Sequence, residues 1–540
     1  MSSTNQDRTH FDVVVVGAGF AGCYMLHRLR SMGLAVRVFE IGAGVGGTWY
    51  WNRYPGARCD IESMEYSYQF SEDLQQEWDW SQRYASQPEI LAYLNHVADR
   101  FDLRRDIQFE TRVTRAYFDE STRRWNIGLH TESDGDKSIS AQFYIMATGC
   151  LSSTNTPDFP GLDEYKGDWY HTGRWPHEGV DLSGKRVGVI GTGSSAIQSI
   201  PLIAVEAQHL TVFQRTPNYS IPAHNAPIDP DLKARVKADY RGFRARNSRM
   251  PFGAFADVEG REETALAASE TELEEHYDHW WKIGGLTFLA SYGDLLFDEN
   301  ANATAVKYVR QKIMDAVDDP AVASILIPDQ IFGCKRLCVD SGYFKTFNRP
   351  NVDLVDIKKA PIQEITPKGL RTSDAEYPLD VIVFATGFDA MTGALLGVDI
   401  RGRNGQTLRD KWREGPRTYL GLGTAGFPNL FTITGPGSPS VLANMVPAIE
   451  QHVNWIADCI EYLRIAGLRE IEATIDAEDA WVEHVNEIAD MTLFPSCNSW
   501  YLGANIAGKP RVFMPYIGFP TYVDKCEEVV AKNYEGFSLR

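Results

Sequence analysis

Two glycine loops carry the clearest chemistry in this sequence. Gly17-Ala18-Gly19-Phe20-Ala21-Gly22 follows an apolar, β-branched run at residues 11–16, and Gly191-Thr192-Gly193-Ser194-Ser195-Ala196 follows another at residues 186–190. Each reads as a G-x-G-x-x-G/A turn between a buried strand and a helix. That geometry lays a dinucleotide pyrophosphate against unpaired backbone N–H groups at a helix N-terminus. The residues ending the next strand differ. Glu40 closes residues 35–39, where a carboxylate can accept both hydroxyls of a ribose. Gln214-Arg215-Thr216 closes residues 210–213. An Arg there suits a 2′-phosphate, and the missing acid removes a repelling charge. The bland reading of Arg215 is a surface charge, which its strand-end position disfavours.

Other reactive residues are ambiguous by themselves. Residues 42–60 combine glycines with Trp49, Trp51, Tyr54, Arg58 and Asp60, a loop that suits wrapping a ligand bulkier than NAD, such as FAD. Asp60 is equally readable as the N-cap of a helix over residues 61–67. Lys335-Arg336 could supply a phosphate contact and a catalytic charge, or could be exposed. His171 reads as a core histidine or a base. His276 and His279 have metal-ligand spacing but no evident third ligand, so a packed helix is the better reading.

The elements that must position these groups follow from the rest of the chain. Its 540 residues suggest three to four domains or one large multi-lobed enzyme, and 44% apolar content is ample for a core. A net charge of −19 opposes non-specific binding to nucleic acid or anionic membrane. Eight scattered cysteines with no C-x-x-C predict neither a disulfide framework nor a zinc ribbon. Residues 1–7 lack the apolar core of a signal peptide, and the expectation is a soluble, cytoplasmic protein in a reducing compartment. Buried strands ending in Ala147-Thr148-Gly149 and Ala385-Thr386-Gly387 each return a strand to a cofactor. Between them, residues 223–327 carry helical stretches at 231–247, 262–281 and 301–317. The fold class is α/β, with two Rossmann-like dinucleotide-binding domains and a helical insertion in the second. The expected order is a first domain over 1–150, a second over 151–222 with a linker at 160–180, the insertion over 223–330, the second domain resuming over 331–380, and the first over 381–540. The linker is rich in aromatics. Burial of Tyr165, Trp169, Tyr170 and Trp175 would pack it between the two domains.

A resemblance enters at that linker. Tyr165-x-Gly167-x-x-x-His171-x-x-x-Trp175-Pro176 resembles the fingerprint of type I Baeyer–Villiger monooxygenases, with Tyr where the family has Phe. Gly46-Gly47-Thr48-Trp49 through Tyr54-Pro55-Gly56 to Asp60 is similar to a second family signature. With Lys335-Arg336 and Ala385-Thr386-Gly387-x-Asp389, the resemblance covers essentially the whole chain and is nearest to the branch of phenylacetone and steroid monooxygenases. It implies FAD on the first site and NADP on the second. NADPH reduces the flavin, O₂ adds, and a flavin peroxide attacks a ketone to give an ester or lactone. The alternative is an N- or S-oxygenating flavin monooxygenase. By resemblance, Arg336 is the catalytic cation and Asp60 its orienting acid. Gly17, Gly19, Phe20, Ala21, Gly22, Glu40, Gly47, Thr48, Trp49, Asp60, Tyr66, Val113 and Met445 match FAD contacts. Arg58, Gly191, Thr192, Gly193, Ser194, Ser195, Gln198, Arg215, Thr216, Lys335, Arg336 and Trp500 match NADP contacts. The expected partners are O₂ and a small apolar ketone, for a monomer or small homo-oligomer that binds no nucleic acid, membrane or metal. Because NADP must move during such a cycle, the segment around His171 is expected to couple the two domains.

Overall fold

The computed structural model describes residues 8–258 and 264–540, so the expectation for residues 1–7 lies outside the described residues. Two sheets organise the chain. In the first, His10–Val16 lies between Val36–Phe39 and the C-terminal half of Gly135–Met146, parallel to both. Ile107–Gln108 extends one side, and Leu430–Thr432 adds a parallel strand against Gly135–Met146. The N-terminal half of Gly135–Met146 turns into an antiparallel meander with Arg124–Thr131 and Arg112–Asp119, with Asp399–Arg401 at the edge. Val13, Val14 and Val15 are wholly buried. Both faces of this strand are covered, and its run is accordingly apolar without alternation.

The second sheet has five strands, all parallel, in the order Val352–Asp356, His209–Gln214, Arg186–Ile190, Val381–Phe384, Asp168–His171. This is the expected pair of Rossmann-like α/β units, with two boundary corrections. Val381–Phe384, assigned above to the returning first domain, pairs in register with Arg186–Ile190 inside the second sheet. The linker also contributes structure of its own, since Asp168–His171 is an edge strand of that sheet. Its aromatics divide between the edge strand and its flanks. Tyr165 and Trp175 are buried, whereas Trp169 is 44% exposed and not part of an interdomain core.

The insertion leaves the second sheet after His209–Gln214 and returns at Val352–Asp356. The single helix expected at 231–247 is two, Pro230–Ala238 and Tyr240–Asn247. They break at Asp239, whose φ of −145° and ψ of 61° are non-helical and whose side chain caps the second helix. The helix expected from 262 starts later, as Glu270–Ile283, behind a capping box of Ser269 and Glu272; residues 262–263 lie outside the described residues. Glu299–Ala316 accounts for the third stretch. His276 packs against Tyr292 and Trp280, and the described residues include no group able to hold a metal ion. Among the described residues Cys334 and Cys497 form a disulfide across 163 positions, a pair that spacing alone does not announce, and the other six cysteines are free and buried. No described helix is long and apolar enough to cross a membrane.

Candidate active site

Both glycine turns have the geometry a pyrophosphate needs. Gly17 (φ +102°) and Gly191 (φ +111°) occupy the region that favours glycine, and a Cβ on either would lie 2.6 or 2.5 Å from the carbonyl oxygen of Ala147 or Ala385. These alanines open the two Ala-Thr-Gly strand ends. The helices that follow, Phe20–Ser31 and Ser194–Glu206, have glycine N-caps, no side-chain cap and no acid in the first turn. Elsewhere Ser71, Asp298 and Thr474 cap helices with their side chains. The two nucleotide helices therefore keep first-turn N–H groups available for an anion.

Around the first turn, buried Glu40 accepts from Ala18 N (2.7 Å) and Gly42 N (2.8 Å), and burial pushes its carboxyl up. Gly47 faces Gly19 so closely that a Cβ on it would meet the Gly19 Cα at 2.9 Å. Thr48 opens a short helix, Thr48–Trp51. Trp49 Nε1 donates to the Tyr66 hydroxyl at 3.1 Å, and Phe20 packs edge-on against Tyr66 at 5.3 Å. Met445 begins the long helix Met445–Ala466, whose N-cap Asn444 also donates to Glu65 O. Val113 is buried with Phe39, Ala116 and Leu129 in the core of the meander.

Around the second turn, Thr192 Oγ donates to Thr216 O at 2.8 Å, tying the turn to the next strand end. Arg215 is exposed there. Burial, together with the charge of Arg215, lowers the pKa of the Lys335 ammonium. Two cations crowded at a strand end form a site that an anion would relieve, as the 2′-phosphate of NADP would. Gln198 joins the two halves. Its carboxamide oxygen accepts from Tyr54 Oη (2.8 Å), and its Nε2 donates to Arg58 O (3.2 Å). Arg58 itself donates to Tyr84 O and Gln82.

Asp60 and Arg336, 276 residues apart, form a bidentate pair with Nε–Oδ2 at 3.0 Å and Nη2–Oδ1 at 2.8 Å. No helix covers residues 61–67, so the N-cap reading of Asp60 falls. The third guanidinium face donates to Val441 O at 2.6 Å. Burial disfavours the Arg336 charge, but Asp60 more than offsets this and the pKa rises. The loop supplying Val441 is unusual, because buried Thr434 and Ser440 both have positive φ. Such strain is held where surrounding structure over-determines it. Arg336 faces a narrow apolar chamber with Ile61, Phe255, Leu289, Leu442, Phe494 and Tyr501. Trp500 packs on Tyr501 at 4.4 Å, half-buried at the edge. Sequence reasoning missed the walls from the insertion, Phe252, Phe255, Leu286 and Leu289, because apolar residues in a charged helical stretch read only as local packing.

The linker touches elements of both sheets. Thr172 Oγ lies 3.0 Å from Ser195 Oγ on the second nucleotide helix, while His177 packs on Tyr50 of the first domain at 4.6 Å. His171 Nδ1 accepts from Gly173 N, and its Nε2 lies 3.3 Å from Thr386 Oγ. Burial pushes its pKa down to about 4, so it is neutral at pH 7.

The family described as flavin-binding monooxygenase-like matches residues 11–221. The chain is 44% identical, over 97% of its own length and 95% of the relative, to a Baeyer–Villiger monooxygenase of Pseudooceanicola batsensis. The chain belongs to the Baeyer–Villiger monooxygenases. Its structure superposes on a steroid monooxygenase bound to NADP with a TM-score of 0.93 and 54% identity, covering 98% of this chain and 99% of that one. A phenazine N-monooxygenase of Lysobacter antibioticus is 42% identical over 99% of this chain and 98% of its own. As a Baeyer–Villiger monooxygenase, the protein is an FAD-containing, NADPH-dependent flavoenzyme that converts ketones to esters or lactones.

Proposed function

We propose that this enzyme oxygenates apolar ketones at the chamber in front of Arg336, and that Arg336 is its catalytic cation. The observation that carries this reading is one permanently charged, triply anchored guanidinium facing a chamber whose walls are mostly apolar, with Asn444 and Tyr501 as further polar side chains. Bound FAD supplies oxygen activation and NADPH the hydride. The chain supplies the electrostatics. As a ketone carbonyl becomes tetrahedral, negative charge grows on its oxygen, and a preorganised guanidinium in a water-poor site stabilises that charge without reorganising. Asp60 holds the fork in plane and keeps it charged despite burial. The apolar walls exclude water and give an uncharged substrate its binding energy. Lys335, Arg215 and Thr216 hold the NADP 2′-phosphate, Gln198 and Arg58 flank it, and Trp500 covers it.

The test is a panel of cyclic, aryl and steroid ketones with amines and sulfides, supplied with NADPH and O₂. The expected product is an ester or lactone one oxygen heavier than the ketone. Oxygenation of amines with no ester from any ketone would favour the N-oxygenation seen in the name of the Lysobacter relative. Arg336→Ala should retain flavin reduction and lose ester formation; persistent ester formation would remove Arg336 from the proposed role.

A further inference from the structure

The Cys334–Cys497 disulfide lies in a position the reaction does not explain. Cys334 immediately precedes Lys335 and Arg336, and Cys497 lies three residues before Trp500 and four before Tyr501. It therefore joins the segment carrying the two cations to the aromatic loop that faces them, with Cα atoms 6.0 Å apart. The far end of that loop is fastened to a different body. Lys509 Nζ pairs with Asp389 at 2.6 Å, and Asn505 Nδ2 donates to Phe388 O at 2.7 Å, both beside the Ala385-Thr386-Gly387 strand end. Its near end has one backbone hydrogen bond to the insertion, Leu493 N to Leu296 O at 2.8 Å. Packing around Tyr501 and Phe494 and an electrostatic contact of Tyr501 with Arg336 also join this near end to the Arg336 segment, and the cystine is the covalent link between them.

We propose that the Cys334–Cys497 disulfide is a redox-dependent positioning tie that holds the Trp500–Tyr501 loop over Lys335 and Arg336. The tie rests on the assignment of those residues to NADP and substrate given above. Formed, it fixes the loop at both ends; reduced, it leaves the near end to noncovalent contacts, and the loop covers NADP less of the time. Formation removes one proton and one electron from each thiol. A hydroperoxide takes both, its O–O bond breaks, and hydrogen peroxide yields two waters. A dithiol reverses the bond by thiolate attack, through a mixed disulfide, and is itself oxidised to a cyclic disulfide. The other cysteines compete poorly in the folded protein. All six are buried, and burial raises the thiols of Cys23, Cys338 and Cys526 to about 12 and that of Cys150 to about 11. Cys334 and Cys497 are buried as well, and what singles them out is that they face each other as a bonded pair with Cα atoms 6.0 Å apart.

The test uses the FAD-loaded full chain, divided into a portion reduced with dithiothreitol and a portion oxidised with limited hydrogen peroxide, both then desalted. Alkylation and peptide mass spectrometry should find Cys334 linked to Cys497 in the oxidised portion and alkylated in the reduced one. The reduced enzyme should show a KM for NADPH raised about threefold or more and at least twice as much hydrogen peroxide released per NADPH, and re-oxidation should restore both. Cys334→Ser and Cys497→Ser should each show the reduced behaviour in either condition. The proposal is overturned if no linked peptide forms, if the two wild-type portions match in KM and peroxide release, or if the serine variants still respond to the reagents. Should the variants not fold, the wild-type comparison alone decides. Because linkage and KM are measured without a ketone, a redox-dependent KM in an enzyme that makes no ester would sink the functional reading and leave the tie standing.

Discussion

The two nucleotide turns share a backbone and differ in charge. At each, a strand-end glycine with φ near +100° sits against a neighbouring Ala carbonyl, and an uncapped helix follows. The first is lined by a buried carboxylate, Glu40, already holding two backbone N–H groups. The second is lined by Arg215 and Lys335, and burial together with the Arg215 charge raises the cost of charging Lys335. Packing differs too. A Cβ at Gly19 would lie 3.3 Å from Gly47 Cα, whereas one at the equivalent Gly193 meets nothing within 4 Å, and Gly22, where a Cβ would lie 1.8 Å from Gly17 O, is replaced in the second turn by Ala196. The backbone thus specifies that a pyrophosphate binds, while the strand-end side chains specify which nucleotide. The first turn is locked into its own fold; the second keeps open space.

That contrast can be broken in graded steps. Gly22→Val should be the most damaging, since helix and turn cannot both stay; the purified protein should be insoluble or colourless, read from its flavin absorbance. Arg215→Ala should weaken NADPH about tenfold, read as KM, and shrink the preference over NADH while leaving flavin content unchanged. Glu40→Gln should lower flavin retention on dilution by a few-fold and leave the KM for NADPH alone, because the amide cannot accept from both Ala18 and Gly42. The smallest effect is in pH. The folded pKa of Lys335 is lowered, so its charge is lost as pH rises through that lowered value, and the KM for NADPH should climb at a lower pH than an ordinary lysine would give. Removing Arg215 should move this limb upward. For stability the sign is opposite: the charge disfavours the cofactor-free fold below that pKa, and the penalty is relieved with rising pH.

The strands, the glycine turns and the acid-versus-arginine contrast were legible because period, glycine position and strand ends are local signals. The Asp60–Arg336 pair was not readable from the residues alone. Its partners lie 276 positions apart and become neighbours only when the two sheets meet, so resemblance and not spacing suggested it. Trp169 and the edge strand were misjudged for a related reason. Aromatic content signals burial, but Trp169 sits on an edge strand with one side open to solvent. The disulfide and the chamber wall are likewise meetings of distant segments.

That wall has an evolutionary consequence. Phe252, Phe255, Leu286 and Leu289 belong to an excursion that leaves and re-enters the second sheet, yet they shape the space before Arg336. Lys335 and Arg336 lie later in the same excursion, while both glycine turns lie outside it. Substrate range can therefore drift by exchange within residues 252–289 while the two cations and the glycine turns stay constant, which makes that stretch a natural unit for recombination between relatives of differing ketone preference.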